Sequence, residues 1–157
     1  MEAPPRRVAE FPRPPAIERS PLPVRIVLGG ETIAQTDAAW RILETTHPPT
    51  YYLPRDSFRP GTLAPRQRRS LCEWKGSAQY FSVSGGGRTV ADAAWAYQNP
   101  SSAYAVIAGH VAVYAGPMDA CYVGDEKVTP QPGGFYGGWI TAAFIGPFKG
   151  APGTEFW

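Results

Sequence analysis

Short β-prone stretches, each closed off by glycine or proline, constrain this chain more than any other feature. Val24–Leu28 and Glu31–Thr36 flank Gly29-Gly30. A two-residue glycine loop can take positive φ at both positions, which is hairpin chemistry. Residues 38–45 follow, with Trp40 and Ile42 alternating against Arg41 and Leu43. Residues 71–75 and 78–83 flank Gly76-Ser77, a second predicted hairpin. Gly85-Gly86-Gly87 closes that strand and Arg88–Tyr97 opens the next. Residues 111–114 and 121–123 complete the set, and residues 104–108 read as one helical turn. Short strands at regular spacing, with turn residues between them, predict an all-β fold.

The ends differ from the middle. Residues 1–23 carry Pro4, Pro5, Pro12, Pro14, Pro15, Pro21 and Pro23 beside several arginines. Proline locks φ and removes the amide donor, so this arm reads as an extended lead without regular structure that adds little stability. Residues 24–129 form the expected domain. Residues 130–157 are rich in Gly, Pro and aromatics (Phe135, Tyr136, Trp139, Phe148, Phe156, Trp157). Disordered tails are poor in aromatics, so this extension is expected to pack on the domain.

At 157 residues the chain suits one domain with tails, and its net charge of +2 implies no strong electrostatic partner. Arg66, Arg68 and Arg69 are too few to track a phosphate backbone and read as a solvated loop, so no nucleic-acid partner is expected. No apolar run is long enough to span a membrane, and no apolar run follows the N-terminal arginines as in a signal peptide. Two cysteines, Cys72 and Cys121, offer no zinc-type spacing. The expectation is a cytoplasmic protein with free thiols, no bound metal and no cofactor. The only strong-ligand set available is His47, Cys72, His110 and Cys121.

Chemistry-bearing residues gather in a few motifs. His47 precedes Pro48-Pro49, which biases it to extended geometry on a rigid bend. A histidine held so can act as acid, base or hydrogen-bond donor, and Glu44 is placed to orient its ring. Tyr51 and Tyr52 alternate, so one is expected in a core or pocket and the other outside. Alternation brings Cys72 and Trp74 together, and Lys75 stands at a turn, either exposed or reaching across a cleft. Trp95 and Tyr97 share a face. Arg55 adds a further polar group. Gly85-Gly86-Gly87 is a strand connector, since a phosphate cradle needs a helix N-terminus after it.

At these motifs the chain resembles the family of domain of unknown function 427. The matching stretches are ETTHPPTYY at 44–52, CEWKGSAQYF at 72–81, AWAY at 94–97 and GHVAVY at 109–114. PQPGGFYGGWIT at 130–141 is similar to a subset of that family. The resemblance implies a β-tent, two antiparallel sheets meeting at an angle, as in zinc-containing methionine sulfoxide reductases and the ligand-binding domain of cereblon. The chain departs from its relatives at His110, where tyrosine is usual, and lacks the four zinc cysteines of the wider fold. A nucleotidyltransferase label attached to the family finds no metal-binding aspartate pair or P-loop here.

Two functional readings follow. In the first, the chain is a binding module for a small molecule or peptide. Trp74, Trp95, Tyr51 and Tyr97 line its pocket, and Glu44, His47, Arg55 and Lys75 make polar contacts. In the second, it is an enzyme using Cys72 or His47 in thiol or acid–base chemistry. A Cys72 sulfur that lies beside a His47 nitrogen and reaches solvent favours the enzyme, and a Cys72 sealed under Trp74 favours the binding module.

Overall fold

The computed structural model describes residues 4–72, 74–133, 135–154 and 157; Glu73, Gly134 and Phe156, which fall in the stretches above, lie outside them. In chain order the strands are β1 (Arg6–Arg7), β2 (Ala16–Arg19), β3 (Val24–Leu28), β4 (Glu31–Thr36), β5 (Trp40–Leu43), β6 (Thr50–Tyr52), β7 (Leu63–Cys72) and β8 (Gly76–Gly85). Then come β9 (Arg88–Tyr97), β10 (Val111–Val113), β11 (Ala120–Val123), β12 (Glu126–Lys127), β13 (Thr129–Pro130), β14 (Trp139–Ile140) and β15 (Phe144–Ile145). Helical structure among the described residues is confined to short 3-10 turns, and Ser102–Ile107 supplies the turn expected near Tyr104. The fold is all-β. No helix among the described residues is long and apolar enough to cross a membrane.

One four-stranded antiparallel sheet has the order β10-β9-β8-β7, a second β12-β11-β3-β4, and a three-stranded sheet β2-β5-β6. Strand alternation gives the first sheet two apolar faces. On one face Phe81, Val83, Ala94 and Ala96 join Val24, Ile26 and Leu28 of β3 in the main core. On the other, Tyr80, Trp95 and Tyr97 meet Ile42 and Tyr52 of the three-stranded sheet, with Tyr104 and Ile107 closing the cluster. Reciprocal backbone bonds between Leu53 and Val111 join these two sheets where β6 ends and β10 begins.

The Gly29-Gly30 hairpin forms as expected, with φ of +61° and +77° and Leu28 paired to Glu31. Gly86 and Gly87, at φ +53° and +79°, turn β8 into β9 in the same way. The two turns lie backbone against backbone. A Cβ on Gly86 would come 1.8 Å from the Gly29 carbonyl oxygen. Asp119 spans the junction, accepting from the Gly30 amide at 2.7 Å and pairing with Arg88 at 2.9 Å. The triple glycine is therefore a sheet-docking device.

Three expectations need correction. The second hairpin pairs Cys72 with Gly76, so its turn lies between them and Gly76 already belongs to β8. Arg66, Arg68 and Arg69 belong to β7, which is solvent-facing along most of its length and so lacks the alternating apolar pattern of a half-buried strand. Its register shifts between Pro65 and Arg69, where proline interrupts the ladder. The N-terminal arm has regular structure: β2 pairs with β5 from Ala16↔Leu43 to Arg19↔Trp40. The prolines fall on either side of 16–19 and leave its amides free to pair. Val8 and Phe11 are buried against Leu43 and Phe144.

Candidate functional site

A cavity of about 400 Å³ opens where the three-stranded sheet faces Trp95 and Tyr97. It brings together Glu44, His47, Cys72, Trp74, Lys75, Trp95 and Tyr97 of the residues expected from sequence. Tyr51 and Arg55 are elsewhere. Tyr51 points into the main core, stacked on Trp139 at 5.2 Å, with Arg41 donating to its hydroxyl at 3.4 Å. Arg55 lies over the ring of Phe81. The alternation of Tyr51 and Tyr52 holds, but both are buried, because β6 is packed on both faces. Tyr52 is the one at the cavity.

Lys75 is 7 % exposed, which a turn position does not suggest. The hydroxyl of Ser101 donates to the Trp74 carbonyl at 2.6 Å and pins the turn inward, and Gly76 at φ +104° permits the reversal. The Lys75 ammonium lies 5.8 Å from the centre of the Tyr97 ring, within cation–π range. Among the described residues it has no carboxylate partner at ion-pair distance. Burial raises the phenol pKa of Tyr52 and Tyr97 and pushes that of Tyr114 up to about 12, so these hydroxyls stay neutral.

His47 is held by residues that the sequence did not single out. Gln131, buried between two prolines, accepts the Gly138 amide at its carbonyl oxygen and donates one N–H to the Lys149 carbonyl at 2.8 Å. Those two bonds fix the amide's orientation, so its other N–H donates to His47 Nδ1 at 3.0 Å. The proton of the neutral ring then sits on Nε2, which is 3.7 Å from the Glu44 carboxylate. The ring also meets Tyr136 edge-on at 4.7 Å. Its loop is tied to both ends of the chain: Thr46 donates to the Val8 carbonyl and accepts from the Lys149 amide. A glutamine flanked by prolines, Pro130-Gln131-Pro132, was the available sequence signal for this clamp.

Burial lowers the His47 pKa; the Glu44 carboxylate opposes this, while Lys149 and Lys75 add to it. An unfolded histidine titrates near 6.5. Because the folded value is lower, the unfolded state takes up the proton first as pH falls, so stability is lost below about pH 6.5 down to the folded pKa. Melting temperature followed from pH 7.5 to 5 should fall more steeply for the native chain than for His47→Gln. Parallel curves would show that His47 is not held neutral.

Cys72 is half-buried and borders the same cavity, but no hydrogen bond joins it to His47. Cys121 is buried in the main core, where its thiol pKa rises to about 12. The two thiols are free and sit in different apolar clusters. His110 bonds the Ala108 carbonyl outside the cavity, so the set His47, Cys72, His110 and Cys121 does not converge.

No curated protein matches the chain. A family model described as domain of unknown function (DUF427) matches residues 16–124. The match runs from β2 through β11 and stops short of Gln131 and Lys149. With most of its length covered, including the sheets that form the cavity, the chain belongs to the DUF427 family.

Proposed function

We propose that this protein binds a small organic molecule carrying an anionic or carbonyl oxygen in the cavity between the Trp95 face and the three-stranded sheet. The observation that carries this reading is Lys75, a buried cation at the cavity wall without a carboxylate partner among the described residues. Burying a charge is costly unless something compensates it, and a ligand anion would do so. Lys149 borders the same space, and His47 presents an Nε2–H donor beside it. Trp74, Trp95 and Tyr97 supply apolar walls, which is the composition of small-molecule sites. Free thiols suit a cytoplasmic setting. The catalytic alternative has less support, because Nδ1 of His47 accepts from Gln131 and Nε2 carries the ring proton, leaving Cys72 without a base.

A thermal-shift panel of small carboxylates, phosphates and ketones tests this. A ligand at a hundred times its Kd should add about 2.7 kcal/mol of apparent stability. Lys75→Met should abolish the response while the free protein still melts cooperatively. Equal responses in both proteins would remove Lys75 from the site and overturn the reading.

A further inference from the structure

Two large apolar side chains at the cavity stand largely in water, although the Phe135 ring meets Tyr136 edge-on at 4.9 Å. Leu71 on β7 is 83 % exposed and Phe135 is 68 % exposed, yet both border the cavity that holds Lys75. Phe135 also borders a second cleft of about 410 Å³. The two spaces share Tyr114, Gln131, Phe135, Tyr136 and Gly137, so they lie on either side of one aromatic partition. The partition is fixed. A Cβ on Gly137 would come 2.1 Å from the Trp95 ring, and the Tyr114 hydroxyl donates to the Phe135 carbonyl at 3.1 Å.

The two spaces differ in chemistry. The first holds Lys75, Lys149 and Glu44 with the neutral His47. Glu44 faces His47 Nε2 at 3.7 Å and the Lys149 ammonium donates to the Trp157 main-chain oxygen at 2.9 Å, which leaves Lys75 as the buried charge without a carboxylate partner among the described residues. The second is walled by Val90, Ala93, Ala115, Pro117 and Pro130. Its charged residues are already engaged: Asp92 pairs with Arg66 at 3.2 Å, and Arg68 lies over the Tyr80 ring at 4.4 Å. A chamber with one uncompensated buried lysine, exposed apolar side chains on its border and an apolar-walled cleft that shares five of its residues match a molecule with an acidic head and a hydrocarbon tail.

We infer that the occupant is a single-chain amphiphilic acid. Its carboxylate sits at Lys75 and His47, and its tail crosses between Leu71 and Phe135 into the second cleft. This rests on the anion-binding reading above and adds the tail. The exposed leucine and phenylalanine are then covered when the site is filled.

Calorimetry with straight-chain carboxylates from butanoate to dodecanoate separates the two claims. Affinity should keep rising through the long members, by about fourfold per methylene buried. In Phe135→Ser and Leu71→Ser, both solvent-facing changes, butanoate should bind as in the native chain while the rise for long chains is lost. Lys75→Met should weaken every member. If short chains bind through Lys75 but affinity levels off, or if the serine variants keep the native slope, the tail site is wrong and the anion site stands. If no carboxylate of any length binds, the amphiphilic acid is wrong, whichever phosphate or ketone the thermal-shift panel finds.

Discussion

Deleting residues 1–23 is expected to lower the melting temperature by about 10–20 °C or to prevent folding altogether. The arm contributes β2 to the three-stranded sheet and buries Val8 and Phe11 against Leu43 and Phe144. Fully burying side chains of that size is worth about 1.5–3 kcal/mol each. Glu18, on the same strand, receives bonds from Arg41 at 2.7 and 2.6 Å. Arg41 is buried, and removing its partner leaves a charge with nothing to balance it. The Tyr104 hydroxyl, which donates to the Pro15 carbonyl, loses its acceptor too. Several kcal/mol is a large part of a domain's 5–15 kcal/mol, roughly, of total stability. Circular dichroism melts of the full and shortened chains decide this. A shift of only a few degrees would mean that the sheet closes without β2.

Gly86→Ala should be far more damaging than Gly87→Ala, its neighbour in the same turn. Both residues have positive φ, so both substitutions carry the left-handed cost of about 1–2 kcal/mol for a side chain. Only Gly86 has the second problem. Nothing lies within 4 Å of a Cβ on Gly87, whereas one on Gly86 falls on the Gly29 backbone. Two carbonyl-bearing turns cannot yield as a flexible side chain can, so the sheets must separate at that corner. Urea titration should show Gly87→Ala folded with a modest loss and Gly86→Ala unfolded or destabilised by several kcal/mol, about the range of severe core lesions. Similar midpoints for the two variants would show that the turns are not in forced contact.

What could be read from the sequence was mostly what is local. Gly29-Gly30 announces its hairpin because both residues that must take positive φ are glycine, and the alternation of Trp95 and Tyr97 against Ala94 and Ala96 follows from the pleat alone. What the sequence left open or misplaced depends on partners far away. Nothing near Lys75 says that Ser101 will draw its turn inward. Nothing near Tyr51 says that Trp139, brought back by the C-terminal extension, will stack on it and take it out of the cavity. Nothing near Arg55 says that it will lie over the ring of Phe81 on β8, away from the cavity. The arginines of β7 failed for a different reason: an edge strand facing water has no apolar pattern to betray it. The proline-rich arm misled because the count of prolines hid the four residues between them that pair.

The loop carrying His47 is bonded to Val8 in the N-terminal arm and to Gln131 and Lys149 in the C-terminal extension. Both segments hold the same few atoms, so opening around Val8 or Lys149 and loosening of the histidine loop are expected to be coupled. Anything that occupies the cavity restrains both segments from the inside, and anything attached to either reaches the cavity through that shared loop.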